Sequence, residues 1–267
     1  MYNKNYVINN KNTIGKYLLE QNLQNKEIKL YLKNKKITIN GKIITNYNYE
    51  LNVKDILVVN TSKSRFNILF EDKYLLIVDK PNNMLSINTD KSNYSLYTEM
   101  SNYVKIKSKN NKVFIVNRLD KETSGIVVFA KDKDTKLAMQ NNWEKTIRKY
   151  IAVVIGKTDK TGVIKSYLKE DNNHFVKSSR DGKLSITEYK KIKENNIYTW
   201  LDINIKTGRK NQIRVHLNDI GCTIRGDRKY GAKKDKRMYL HAYKIVFNHP
   251  VTNKSIKIDS VIPSEFK

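Results

Sequence analysis

The sequence contains one cysteine, Cys222, and three prolines in 267 residues. A single thiol excludes an internal disulfide and any cysteine-built metal site, and it fits a reducing cytosol. Four histidines, His174, His216, His241 and His249, show no His-Glu-x-x-His or other ligand spacing, so no metal is expected. No apolar run approaches the roughly 20 residues of a spanning helix. The opening MYNKNYVINNKN lacks the apolar segment of a secretion signal. The expectation is a cytoplasmic protein without a membrane partner. Acidic residues are scarce too: 26 Asp and Glu stand against 52 Lys and Arg, a formal net charge of +26. A field of that sign attracts polyanions, which favours nucleic acid as the partner, although a basic protein can also be no more than a soluble one.

What is present is periodic. Ile14, Tyr17 and Leu18 fall at helical spacing over 13–23. Asn25 is a candidate cap for a second helix, with Glu27 favourable in its first turn and Ile28, Tyr31 and Leu32 as its apolar stripe. Ile37 and Ile39 alternate with polar residues, and Asn40-Gly41 signals a hairpin. Ile43, Tyr47, Leu51 and Ile56 suggest further short strands. Residues 1–60 hold 10 Lys, no Arg and 4 acids. Lys26, Lys29, Lys33 and Lys36 fall at i, i+3, i+7 and i+10, which places them on one face of the second helix. Such a face is commonly just solvated. The stretch KEIKLYLKNKKITINGK, however, resembles the RNA-binding module named after a ribosomal small-subunit protein of the S-four type, over roughly residues 12–58. The resemblance implies that Lys29, Lys33 and Lys36 contact RNA.

Residues 61–67 read as a linker. Beyond them LLIVDKP is a buried-type strand, residues around Tyr94–Val104 suggest a helix, 134–145 look helical, and RKYIAVVIG is a strand. Later strands are expected at 184–193, 198–206, 212–217 and 241–247. The apolar runs VFIVNRLD and GIVVFAKD flank a polar loop, Asn117 to Gly125. A loop held between rigid strands is a natural seat for a reactive group. Taken alone, Asp120 in that loop is more commonly a turn cap.

The whole stretch VNRLDKETSGIVVFAKD resembles the signature of the RluA-type pseudouridine synthases. RKYIAVVIG, KLSITEYK, TGRKNQIRVHLNDIGCTIRGDRKYG and YLHAYKIVFNHP resemble further motifs of that family, in its order, across about residues 70–265. The chain departs from the pattern at Asn117 and Asn211, where many members carry His, at Thr223, where Pro is frequent, and at Asn83, where Gly is common. The resemblance implies an α+β fold: a mixed, mainly antiparallel central sheet with flanking helices over 61–267, plus a small N-terminal αβ RNA-binding domain over 1–60.

It also implies an isomerase that turns uridine into pseudouridine within structured RNA. That reaction breaks the N-glycosidic bond, turns the uracil and rejoins it through carbon. It is redox-neutral and transfers no external group, so no cofactor is expected. Asp120 is the implied carboxylate, flanked by Arg118 and Lys121, which would help keep it ionised. A carboxylate in a closed pocket needs a cation. Read as a strand, QIRVH puts Gln212, Arg214 and His216 on one side, from which Arg214 can reach a cleft or grip phosphate at the surface; the resemblance favours Arg214 as the partner of Asp120, with Arg209 the second candidate. Tyr150 is implied to stack on the uracil or orient a proton, against the usual packing role of a tyrosine. Leu240 is implied as an apolar floor for the base, or is plain core. Arg118 is a wedge or phosphate clamp for the displaced nucleotide, or a structural salt bridge. The appended module favours large-subunit ribosomal RNA by analogy, and no obligate protein partner is implied. The competing readings are a non-catalytic RNA-binding or ribosome assembly factor, against which the intact Arg-Leu-Asp argues, and a synthase acting on transfer RNA.

Overall fold

The structure, a computed structural model, describes residues 3–60, 66–90, 92–106 and 108–267. The chain divides into two units, Met1–Phe66 and Asn67–Lys267. In the first, β1 (Asn3–Val7) and β2 (Asn12–Thr13) precede α1 (Ile14–Glu20) and α2 (Asn25–Lys33). These are followed by β3 (Ile37–Ile39), β4 (Lys42–Ile44), β5 (Glu50–Leu51) and β6 (Ile56–Asn60). The order β1-β6-β3-β4 makes one antiparallel sheet, and β2 pairs with β5. Ile14 and Leu18 from α1 and Ile28 and Leu32 from α2 bury against Ile37, Leu57 and Val59 of the sheet. The β3–β4 hairpin turns at Asn40 and Gly41, both with positive φ of 49° and 80°, the backbone that an Asn-Gly pair accepts most readily.

Two expectations for this unit are corrected. The residue that caps α2 is Gln24 rather than Asn25, with the Glu27 carboxylate accepting the Gln24 N–H at 3.1 Å. Lys36 does not share the face of Lys26, Lys29 and Lys33. The helix ends at Lys33, Lys35 takes a positive φ of 56°, and the chain reverses into β3. Lys26, Lys29 and Lys33 are exposed, whereas Lys36 is buried over the Tyr31 ring at 5.8 Å. Burial lowers its ammonium to about 8.

In the second unit the order is β7 (Asn67–Glu71), β8 (Leu75–Lys80), α3 (Leu96–Lys105), β9 (Phe114–Ile115), β10 (Ser124–Ala130), α4 (Lys133–Asn141), β11 (Ile147–Ile155), β12 (Thr161–Glu170), β13 (Val176–Ser178), β14 (Lys183–Glu194), β15 (Tyr198–Ile205), α5 (Gln212–Asp219), β16 (Leu240–Asn248) and β17 (Ser255–Asp259). The strands form one sheet in the order β13-β12-β14-β15-β11-β16-β10-β8-β7, with β17 added to β16 and β9 to β10. Every pairing is antiparallel except β10 with β16. That parallel seam is short: only Ser124 with His241 and Gly125 with Ala242 are in register. Gly125 has a φ of 116°, and a Cβ there would lie 2.2 Å from the Ala242 carbonyl oxygen, so the close approach at the seam requires glycine. Beyond it β10 pairs with β9 and β16 with β17, so the sheet forks.

The expected strand at 212–217 is corrected: these residues belong to α5. The alternation in QIRVHL is not a one-sided pleat, because Gln212 to Leu217 are all buried. Ile213 and Leu217 enter the apolar cluster of β11 and β15. Gln212 and His216, one helical turn apart, hydrogen-bond to Thr187 of β14 at 3.0 and 2.9 Å. Polar residues satisfied in the interior thus imitate a period of two.

Candidate active site

The loop from Asn117 to Thr123 is tied down before it delivers Asp120. Asn117 extends the ladder of β9 with its side chain, its Oδ1 accepting the Val128 N–H at 2.8 Å. Leu119 is buried, its N–H donating to Ser86 Oγ at 3.0 Å while that hydroxyl donates to the Leu119 carbonyl at 2.7 Å. The Asp120 carbonyl accepts the Thr123 N–H at 3.1 Å. Lys80, at the end of β8 and fully buried, donates to the carbonyls of Pro81, Met84 and Lys121 at 3.1, 2.7 and 3.2 Å. Three acceptors match the three donors of an ammonium group. Burial lowers the Lys80 ammonium to about 7, against the pull of Asp120 and Glu122.

Asp120, half-buried, meets the cation expected of it: Arg214 Nη1 lies 3.2 Å from Asp120 Oδ2. The arginine arrives from the first turn of α5 rather than from a strand. Its other donors are taken by Asp227, which is 1% exposed: Nε to Oδ2 and Nη2 to Oδ1, both 2.7 Å. This forked pair fixes the guanidinium plane and aims the remaining nitrogen at Asp120. Glu122 stands 3.9 Å from that nitrogen, and the Tyr230 ring lies 5.2 Å from the guanidinium carbon. Burial opposes the charge of Arg214, yet Asp227 and Asp120 raise its pKa above the ordinary guanidinium value.

Asn211 precedes α5 in the left-handed conformation, φ 54°. Its amide does not cap the helix; it faces Asp120. An ionised carboxylate only accepts, so the amide turns its nitrogen to it, donating to Oδ1 at 3.2 Å and Oδ2 at 2.8 Å while its oxygen accepts from the Tyr230 hydroxyl at 3.2 Å.

Tyr150 lies in β11, beside β16, in register with Ala242 across a bulge. Its phenol is pushed up to about 12, by burial first, with Arg148 opposing and Asp120 adding to the rise. It packs on the apolar cluster that holds Leu240, Ala152, Ile213 and Met238. Arg118 is exposed and makes no ion pair among the described residues. Arg209 is exposed, its Nε donating to the Leu184 carbonyl at 3.4 Å. Lys29 and Lys33 are exposed in the first unit. Among the described residues, no three His, Cys, Asp or Glu side chains converge as metal ligands.

The sequence reading missed Lys80, Asp227, Asn211 and Tyr230. A lysine closing the apolar run LLIVDK was the one legible signal: such a position is buried, and a buried ammonium needs carbonyls.

Comparison with known proteins bears on this site. A family described as RNA pseudouridylate synthase matches residues 74–219. The ribosomal large subunit pseudouridine synthase C of Rickettsia prowazekii is 33% identical over 211 residues, spanning 74% of this chain and 69% of that protein. The ribosomal large subunit pseudouridine synthase D of Buchnera aphidicola is 28% identical over 270 residues, spanning 89% and 85%. Among solved structures, human RNA pseudouridylate synthase domain containing 4 superposes with a TM-score of 0.64 over 75% of this chain and 90% of that one, at 22% identity, a likeness of fold.

Proposed function

The chain belongs to the RNA pseudouridylate synthase family and is an RNA pseudouridine synthase, an isomerase; on that premise we propose that Asp120 is its reacting carboxylate and large-subunit ribosomal RNA its substrate. One observation carries the assignment of Asp120: a carboxylate in a tethered loop, 3.2 Å from a buried arginine whose other donors are held by a second aspartate. The N1–C1′ bond of uridine breaks, a C5–C1′ bond forms, the C5 proton leaves and N1 takes one up. Asp120 acts on the sugar or base as nucleophile or base. Arg214 keeps the carboxylate oriented through the reaction because its own plane is fixed by Asp227. Tyr150, whose hydroxyl keeps its proton at neutral pH, offers a ring face and a neutral donor to the turning uracil, and Leu240 lies in the cluster beneath it. Arg118, exposed beside Asp120, clamps phosphate of the flipped nucleotide, and Arg209 extends that contact.

Two relatives named for the ribosomal large subunit support the substrate. The exposed lysines 26, 29 and 33 of the first unit support an RNA-binding role for residues 1–60 in the manner of the S-four module, and catalysis on ribosomal RNA places the enzyme in the cytoplasm. Pseudouridines should be mapped in total RNA from cells lacking the gene and from the same cells given the wild-type chain or Asp120→Asn. The expected result is one site, or a few, in large-subunit ribosomal RNA, restored by wild type alone. Sites confined to transfer RNA would overturn the substrate, and restoration by Asp120→Asn would overturn the carboxylate.

A further inference from the structure

The loop that carries Asp120 is fastened differently at its two ends. Upstream, Leu119 is bound to Ser86 and the Lys121 carbonyl to Lys80. Downstream, the loop enters β10 at Ser124, where the parallel seam has only two registered pairs and Gly125 brings no side chain. The Thr123 N–H closes back onto the Asp120 carbonyl, so a shift at Ser124 is passed to Asp120. The backbone holds this end with few bonds, and side chains supply the rest.

Ser124, His241 and Ser260 are all buried. Arg237 Nη2 donates to Ser124 Oγ. Ser124 Oγ lies 2.8 Å from His241 Nδ1, and His241 Nε2 lies 3.2 Å from Ser260 Oγ. Ser260 is in turn a hydrogen-bond partner of Asp79, in β8. An arginine only donates, so the Ser124 oxygen accepts from Arg237 and its own proton goes to Nδ1. Nε2 then carries the ring proton and gives it to Ser260, whose hydroxyl proton is left for Asp79. In this setting alone each of these protons meets an acceptor. Burial first, and then the neighbouring Arg237, lower the pKa of the His241 ring, which keeps it neutral. The chain thus runs in one direction from a guanidinium to a carboxyl group, and it ties β16 and β8 to the first residue of β10.

Arg237 is itself held in place. Its Nε donates to the Met238 carbonyl at 3.2 Å, and its guanidinium carbon lies 5.0 Å from the centre of the Phe266 ring. Its backbone crosses Gly226, φ 78°, so closely that a Cβ there would lie 2.0 Å from the Arg237 carbonyl oxygen. The residue after Gly226 is Asp227, which locks Arg214. The two supports of Asp120, one through Arg214 and one through Ser124, therefore leave from adjoining backbone. We propose, resting on Asp120 as the reacting carboxylate, that Arg237 and His241 are positioning residues: acting together through Ser124, they fix the β10 end of the Asp120 loop. Joining two strands does not require this. Apolar contacts would do it without the desolvation of a buried charge. A chain of satisfied polar groups with one permitted setting adds a single geometry, which is what a reacting carboxylate needs.

The test is a double-mutant cycle on the chemical step. Arg237→Met, His241→Leu and the double variant should be compared with wild type by single-turnover rate at saturating enzyme, with RNA affinity and denaturant unfolding measured alongside. Each single variant should lower the rate roughly tenfold, as loss of a hydrogen bond to a charged or buried group does, with affinity changed less than about threefold. The double variant should also lose roughly tenfold rather than a hundredfold, because one chain is broken once. His241→Gln, which retains a donor and an acceptor, should regain most of the rate. An unimpaired Arg237→Met, a double variant whose losses multiply, or a glutamine variant no better than leucine would overturn the proposal. So would a fall in affinity that accounts for the rate, which would make Arg237 a phosphate contact. Arg237 is half-buried, so its variant decides the matter even where His241→Leu does not fold. Asp120→Asn, run in parallel, separates the two readings. Its activity would sink the role of Asp120 and this proposal with it, whereas an inactive Asp120→Asn beside an unimpaired Arg237→Met would sink only the positioning chain.

Discussion

The two units carry positive charge in opposite ways. In the first, Lys26, Lys29 and Lys33 stand in water on one helix face, and no arginine occurs in residues 1–60. In the second, Arg148 and Arg214 are buried, and Arg214 spends its donors on named oxygens. A hydrated ammonium on a flexible stem gives attraction without direction, whereas a planar guanidinium locked by two parallel bonds gives direction. Long-range attraction and atomic alignment are separate demands, to which a solvated lysine face and a locked arginine are respectively suited. Among the described residues each unit also buries one lysine, Lys36 and Lys80, and there the ammonium serves the fold.

If that division holds, changes at the aligned charges should reduce chemistry and spare binding, and changes at the solvated ones should do the reverse. The largest effect is expected for Asp120→Asn: tritium release from uridine labelled at carbon 5 should fall by roughly a thousandfold or more, with RNA affinity intact. Weakened binding in proportion would erase the distinction. Next is Arg214→Lys, which keeps the charge and loses the fork. Single-turnover rate should fall about 10- to 100-fold, with affinity within about twofold. Arg214→Met should in addition destabilise the protein by about 3–5 kcal/mol, because Asp227 is left buried and unpaired; denaturant titration would read it.

A smaller, pH-dependent effect is expected at His241, in register with Ser124 at the seam. Burial, aided by Arg237, lowers its pKa from 6.5 to about 4. Its ring nitrogens are taken by Ser124 at 2.8 Å and Ser260 at 3.2 Å. Folded protein therefore binds fewer protons here than unfolded protein does between those values, and stability should fall as pH drops from about 6.5 toward 4, by roughly 3 kcal/mol from this group at its limit. Thermal unfolding at pH 7 and pH 4.5 should show a shallower loss in His241→Gln than in wild type. The smallest effect belongs to the first unit. Replacing Lys26, Lys29 and Lys33 with Gln should shallow the log–log salt dependence of RNA binding by roughly 2 units for single-stranded contacts and leave the single-turnover rate unchanged. Lys36→Gln should not join that series; it should lower the stability of the fold instead.

Legibility in the sequence followed the locality of the cause. The Asn40-Gly41 hairpin, the apolar stripes of α1 and α2, and β10 and β11 are set by neighbours a few residues away, and the reading reached them. The contact of Asp120 with Arg214 was legible through the family's motifs and the need of a carboxylate in a closed pocket for a cation. What failed depended on distant partners. QIRVH reads as a strand because the partners that hold Gln212 in the interior include Ile186 and Thr187, some 25 residues away. Lys36 continues the helical spacing of its neighbours and leaves it only because the chain reverses at Lys35. Asp227 has no local pattern, since it is defined by the arginine it holds, 13 residues away.

The two-residue seam between β10 and β16 sets a schedule for synthesis. Ser124 and His241 are separated by 117 residues. β11, β12, β14 and β15 are all made before β16 can be inserted beside β10. A chain emerging from the ribosome can build its hairpins in turn, each from local contacts, and still lack the strand that joins the Asp120 loop to Tyr150. The strand that bridges β10 and β11 can therefore be laid down only when this long loop closes.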